Sequence, residues 1–362
     1  MVDFVIHVPE DTPPTDPVYL TGDGDALGCW RPDAVRLERW GDGTYRTRIQ
    51  LPHGQPVRYL ITRGSWRGVE NDGHGGERVA REFHVHGPLT LDVLVRGWGR
   101  DAVKYYPDFR SEHLVHSRQI SVYLPPQYDW NPERRYSVLY MHDGQNLFDA
   151  ATAFAGNPWE CDDVADRVIR AGECEPFLIV GVGNTPDRLS EYGHRSNPEE
   201  QGPDLAQRYG RFLVEELKPF IDHTFRTRRE PQATGVAGSS MGGLISLQLC
   251  EWYPEVFGQC AAMSPSIWWD RENFLRRLSN NPHWLKTARI WLDMGGQEGA
   301  SQSGISANLR RTRQLAREFR DHGLIEGVQF QYVEVPEGRH NERDWAARFD
   351  DVLRFLFPAH RQ

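Results

Sequence analysis

A serine becomes a useful nucleophile only when a turn holds it open to a substrate and a base lies within reach. Residues 234–247, TGVAGSSMGGLISL, have the makings of such a turn. Within them Gly238-Ser239-Ser240-Met241-Gly242 reads G-x-S-x-G, and only Ser240 lies midway between the two glycines. The pattern alone is weak, because a small-residue turn between a strand and a helix looks the same. Its neighbours decide. TGVAG is a short apolar strand and LISLQLCEWY a helix, so Ser240 falls at a strand-to-helix elbow. Gly238 and Gly242 are expected to be small because a Cβ on either would clash across the turn. The amide of Met241, at the helix N-terminus, is expected to face a developing oxyanion.

A serine needs a base, and the base an orienting acid. In a strand–helix alternation of this kind the chain order is serine, acid, histidine, on loops after later strands. After the strand RIWLDMG comes GQEG with Glu298. After VQFQYVEVP comes EGRHNERDW with His340. Asp293 is the rival acid, but it lies within the strand. His142, His194 and His360 are the other histidines considered: His194 is in a loop where substrate can reach, and His360 follows the last helix. A second oxyanion donor is expected from HDGQNLFD, through the amide of Gly144 or Gln145, in the loop after the third strand of the fold. The plainer reading of that loop is a β-turn capped by Asp143.

The elements that must hold these residues fall into two regions. Residues 1–97 read as short strands rich in Val, Tyr, Thr and Ile, punctuated by Gly, Pro and Asp about every ten residues, which predicts a β-sandwich. The stretch GWGRDAVKYYPDFR reads as a linker, with a boundary near 100–110. From about 112, apolar strands alternate with helices. This predicts a mostly parallel sheet covered on both faces. Helices are expected near 159–172, over 204–225, from 241, near 303–322 and over 343–356. The stripe Tyr209, Leu213, Leu217, Phe220 faces the core. The domain expectation is therefore a β-sandwich over 1–100 and a catalytic domain over 110–362.

Composition removes several classes. The net charge is −9 and Lys104, Lys218 and Lys286 are the only lysines, so no basic block invites nucleic acid. No apolar run approaches a membrane span, and the N-terminus lacks the basic-then-apolar pattern of a secretory leader. Five scattered cysteines with no C-x-x-C pairing argue against a metal knuckle or a disulfide framework, and a cytoplasmic location is the expectation. No metal or organic cofactor is implied.

YMHDGQNLFD, GVGNTPDRLSEY, FLVEELKPFID, GSSMGG, YPEVFGQCAAMSPSIWW and EGRHNERDW together resemble the esterase D-like group of α/β-hydrolases, which includes enterochelin and feruloyl esterases. The resemblance spans about residues 110–358. It implies an α/β-hydrolase fold with Ser240 as nucleophile, His340 as base and Glu298 as acid. Two departures stand out: many members carry Asp where Glu298 stands, and enterochelin esterases often carry Gly where Arg339 precedes the histidine. More weakly, VYLTGDGDALGCWRPD and YRTRIQLPHGQPVRYLITRG resemble starch- and glycogen-binding β-sandwich modules. That likeness implies an immunoglobulin-like sandwich with Trp30 as a sugar platform. A second platform falls near GVENDGHG, with Trp66 close by; the plainer alternative is a sandwich that shapes the hydrolase entrance.

Pocket walls are expected from Trp268 and Trp269 in SPSIWWD, and from Trp159, although core packing is the default for each. Arg188 and Glu191 of DRLSEY are placed at the same rim, with a structural salt bridge as the alternative. The expected function is a serine ester hydrolase acting on a small-acyl, feruloyl-sugar or siderophore-type ester. Its rivals are an acyltransferase on the same site and a degenerate carbohydrate-binding or interaction protein.

Overall fold

The computed structural model describes residues 1–10, 12–66, 68–71, 80–99, 102–126, 128, 131–196, 204–299 and 306–359. The chain divides into two compact units, Met1–Asp101 and Ala102–Gln362.

In the first unit, period-two apolar residues build two four-stranded sheets. One orders Glu38–Gly41, Thr44–Ile49, Val2–His7 and Leu89–Leu94; the other orders Val35–Arg36, Tyr19–Gly22, Pro56–Thr62 and Arg81–His84. Pairing is antiparallel except between Val2–His7 and Leu89–Leu94. Val2, Phe4 and Ile6 are fully buried and share one apolar cluster with Leu20, Tyr59 and Ile61. Phe4 meets Tyr59 edge-on at 5.4 Å. This is the sandwich that the strand spacing predicts. Trp30 sits in a left-handed turn (φ 65°), its indole N–H bonded to Asp23 Oδ1 at 3.0 Å and Arg58 5.9 Å from the ring. Trp66 and Trp40 are exposed, and Arg46 stacks on Trp40. Residues 72–75 of GVENDGHG lie outside the described residues, as does His360.

In the second unit we label the strands β1 (Val103–Phe109), β2 (Arg118–Tyr123), β3 (Ser137–His142), β4 (Phe177–Val182), β5 (Thr234–Ser239), β6 (Gln259–Met263), β7 (Arg289–Gly295) and β8 (Phe330–Val335). They form one sheet in the order β1-β2-β4-β3-β5-β6-β7-β8. β3 through β8 run parallel, and β1 and β2 attach antiparallel. This is the α/β-hydrolase sheet. The central strands β3, β4, β5 and β6 are buried along their whole length, as strands covered on both faces must be.

The helices are α1 (Cys161–Arg170), α2 (Arg188–Tyr192), α3 (a continuous run of Ala206–Arg211, Phe212–Leu217 and Lys218–Thr224), α4 (Met241–Trp252), α5 (Trp269–Asn280), α6 (Ala307–Asp321), α7 (Glu342–Ala346) and α8 (Phe349–Leu356). The middle of α3 is a π-helical stretch in which Phe212 is buried along with the stripe residues Leu213 and Leu217. No helix among the described residues is long and apolar enough to cross a membrane.

Two expectations are corrected. The presumed linker holds β1, an edge strand whose Tyr106 and Phe109 pack on Phe220 of α3 at 5.1 and 5.2 Å. A register shift between Tyr106 and Phe109 interrupts its period of two, which is why no period was legible. The second unit starts at Ala102, within the boundary expected near 100–110. The final helix is split, because Arg348 (φ −123°) breaks it into α7 and α8. Helices α2 and α5 were not anticipated.

Candidate active site

Ser240 occupies the one-residue step from β5 to α4 with φ 58° and ψ −120°, a conformation that costs a non-glycine residue about 1–3 kcal/mol. Backbone bonds on both sides hold it there. Ser240 N donates to Met263 O at 3.0 Å, and Ser240 O accepts from Leu244 N at 3.1 Å and Ser266 N at 3.0 Å. The glycines act unequally. A Cβ on Gly238 would lie 2.8 Å from the backbone of Gly242, as the clash argument requires. A Cβ on Gly242 would meet the His142 side chain at 3.3 Å instead, so that glycine admits the neighbouring loop rather than the opposite side of the turn.

His340 Nε2 lies 2.9 Å from Ser240 Oγ, and His340 Nδ1 lies 2.6 Å from Glu298 Oε2. A carboxylate oxygen accepts, so Nδ1 carries the proton and Nε2 presents a lone pair to the serine hydroxyl. The loop bearing His340 is fixed from below. Asn341 caps α7 through a bond from Asp344 N at 3.1 Å, and the Trp345 ring stands edge-on to the imidazole at 4.8 Å. Glu298 is 1% exposed and His340 is 42% exposed, so the carboxylate is sealed while the imidazole opens to solvent.

Asp293 does not reach His340. Its Oδ1 accepts from Arg348 Nη2 at 2.7 Å and Ser264 N at 3.1 Å, and its Oδ2 accepts from Trp291 Nε1 at 2.7 Å. It is a fully buried structural partner of Arg348.

The first-turn amides of α4 point out of the helix end, since an α-helix leaves its first N–H groups without internal acceptors. Met241 is the first of them. Beside the elbow, Asp143 adopts a left-handed conformation (φ 57°) and starts the turn Gly144–Asn146. Two groups clamp its side chain, and a third holds its backbone. Arg188 donates to Oδ1 and Oδ2 at 2.6 and 2.8 Å, and Asn184 Nδ2 donates to Oδ1 at 2.7 Å. Asp143 N donates to Tyr192 Oη at 3.2 Å. Gln145 Oε1 accepts from Asn184 N at 3.1 Å, which ties the same turn to the end of β4. Burial works against the charge on Arg188, but its bonds to Asp143 outweigh this and hold the guanidinium more firmly protonated than usual.

The expected pocket walls divide. Trp268 is 46% exposed at the start of α5, two residues beyond Ser266, whose hydroxyl lies 3.3 Å from Ser240 Oγ. Trp269 is half-buried, with its indole N–H bonded to His194 O at 3.0 Å and Arg195 stacked on its face. Arg188 serves Asp143 rather than an open rim. Two expectations fail. Glu191 is buried in the core, paired with Arg118 at 2.8 and 3.2 Å, because the single-turn helix α2 points it inward. Trp159 is buried against Trp345 and Phe349. His194 pairs with Asp204 at 2.7 Å. His142 is buried beneath the elbow, its Nδ1 2.8 Å from Tyr209 Oη. Sequence reasoning passed over Ser264, Ser266, Arg348 and the Asp143 clamp. The only signal was position: Ser264 and Ser266 follow the carboxyl end of β6, as catalytic groups in such sheets do. Among the described residues no group of three or more His, Cys, Asp or Glu side chains could hold a metal ion.

A profile of the family described as "Putative esterase" matches residues 111–356. The chain belongs to that family. As a member it is a carboxylic ester hydrolase. The esterase is 28% identical over 213 residues to the ferri-bacillibactin esterase BesA of Bacillus subtilis (strain 168), covering 53% of this chain and 71% of that protein. A 98-residue stretch, 27% of this chain, is 38% identical to 8% of an alpha-amylase of Niallia circulans. Among solved structures it is similar to the enterobactin esterase FES of Shigella flexneri, crystallised in the presence of enterobactin. That likeness has a TM-score of 0.56 at 14% identity and covers 98% of this chain and 92% of that one.

Proposed function

We propose that the esterase cleaves its substrate through Ser240, His340 and Glu298 by way of an acyl-enzyme. The supporting observation is the pair of bonds that His340 makes, 2.9 Å to Ser240 Oγ and 2.6 Å to Glu298 Oε2. As Ser240 Oγ attacks the ester carbonyl, its proton passes to His340 Nε2, and Glu298 supports the imidazolium. The amides of Met241 and of Gly144 or Gln145 receive the oxyanion. Collapse breaks the carbonyl–alkoxy bond, and the alkoxide leaves as an alcohol with the proton from Nε2. A water then gives a proton to Nε2 and attacks the acyl carbon; the second tetrahedral intermediate collapses, the bond from the acyl carbon to Ser240 Oγ breaks, Nε2 returns the proton to Oγ, and the acid is released. The exposure of His340 leaves a path for water to reach the acyl-enzyme.

The substrate in this reading is an ester with an aromatic or sugar-linked part, of the siderophore or feruloyl kind, resting on Trp268. Its likeness to a ferri-bacillibactin esterase is consistent with that class. Glycan contact by the first unit through Trp30 belongs to the same reading; Trp30→Ala is expected to reduce retention on insoluble starch. The decisive test is labelling by an organophosphonate together with turnover of p-nitrophenyl acetate. Both are expected in the wild type and lost in Ser240→Ala, and His340→Ala is expected to lose several orders of magnitude in kcat. Turnover surviving in His340→Ala would remove the base assignment.

A further inference from the structure

Ser264 follows β6 directly, is 1% exposed and has φ 44°, a left-handed conformation unusual for serine. Its backbone N–H is held by Asp293 O at 3.1 Å and Asp293 Oδ1 at 3.1 Å. Its hydroxyl is fully committed. Trp345 Nε1–H donates to Oγ at 3.0 Å and Arg348 Nη2–H at 2.9 Å. A hydroxyl has two acceptor lone pairs and one proton. With both lone pairs taken, the proton has one direction left, and Glu298 Oε1 lies there at 2.5 Å. The same oxygen accepts from Gly295 N at 3.1 Å.

We infer that Ser264 is a positioning residue for ester hydrolysis, acting through Glu298. Oε1 takes the bonds from Ser264 and Gly295, which leaves Oε2 aimed at His340 Nδ1. A glutamate has one more side-chain torsion than an aspartate, so a triad built on it requires this extra restraint. Arg348 makes the restraint stronger. Its charge polarises the Ser264 hydroxyl it donates to, and its second partner, Asp293, keeps the guanidinium from swinging onto Glu298, 4.0 Å away. The indole of Trp345 both orients the Ser264 hydroxyl and packs on the His340 ring. One buried hub thus aligns Glu298 and, through Trp345, His340.

The inference rests on the triad reading above, so its test is a mutant cycle on p-nitrophenyl acetate. Ser264→Ala is expected to lower kcat roughly 10- to 100-fold, the range for a lost bond to a charged group, with KM within about threefold. In a Glu298→Ala background, adding Ser264→Ala is expected to change kcat by less than about twofold, because the group it acts through is gone. A merely structural serine would cost the same factor in both backgrounds, and that result overturns the inference. So does a Ser264→Ala enzyme within threefold of wild-type kcat, or one whose loss lies in KM. If Ser264→Ala does not fold, Ser264→Gly, which suits the positive φ, carries the same cycle. Turnover retained in Ser240→Ala, or undiminished in Glu298→Ala, would instead remove the triad reading beneath it.

Discussion

His142 links the electrostatics of the core to the geometry of the site. It ends β3 one residue before the Asp143 turn, and its ring packs between Tyr192 and Tyr209 at 5.3 and 5.6 Å. Nδ1 is bonded to Tyr209 Oη, while Nε2 is buried with no hydrogen-bond partner among the described residues. Burial pushes its pKa from the usual 6.5 down to about 3; Asp143 pulls it up by less, and Arg188 pushes it further down. The unfolded chain therefore takes up a proton here below about pH 6.5, and the native protein does not until about pH 3. Stability must fall as pH drops through that window, by about 1.4 kcal/mol per unit. Between pH 7 and pH 5 the loss amounts to about 2 kcal/mol. Urea unfolding of the wild type and of His142→Asn at both pH values measures it. The wild-type slope alone is not diagnostic, because burial pushes Asp162 up to about 7 and that group contributes stability that is lost as pH rises toward 7. Asp162 is present in both proteins and cancels in the difference. The wild type is expected to lose about 2 kcal/mol more than the variant on going to pH 5. An equal pH response in the two proteins would refute the assignment.

Three further outcomes follow from named contacts. Glu191→Gln leaves Arg118 buried without its counter-charge, at a cost of about 3–5 kcal/mol, and is expected to lower the melting temperature by roughly 10 °C in a thermal scan. Gly144→Ala puts a Cβ 2.5 Å from Gly181 C and 2.6 Å from Val182 N, which are backbone atoms that cannot swing aside. The turn must shift, and kcat is expected to fall by about 100-fold or more, as when an oxyanion donor is lost. Arg188→Met frees Asp143 from its bidentate clamp; if Arg188 acts on the turn, kcat falls about 10-fold with KM nearly unchanged, whereas a rise in KM alone would assign it to the substrate.

Much of the fold was legible because its signals are local. The apolar runs that became β3 to β7 are continuous, since both faces of those strands are covered, and a run of that kind survives in sequence whatever packs on it. The edge strand β1 was not legible. One of its faces is open and a bulge interrupts its alternation, so its place is set by Phe220, more than a hundred residues away. Helix α2 was missed because a single turn carries no period, and with it went the direction of Glu191.

For the site, sequence alone determined the order of parts: an elbow with Ser240, then a carboxylate loop with Glu298, then a loop with His340. Chain order is enough there because parallel strands send all their carboxyl-end loops to one side of the sheet. Sequence favoured Glu298 over Asp293 only by its place in a loop, and it did not find the Ser264 hub or separate the inward Glu191 and Trp159 from the exposed Trp268. Those are questions of which atoms meet across long stretches of chain, as Trp159 meets Trp345. Tertiary structure separates them by which atoms meet: Asp293 accepts from Arg348, Trp291 and Ser264, and Glu298 Oε2 lies 2.6 Å from His340 Nδ1.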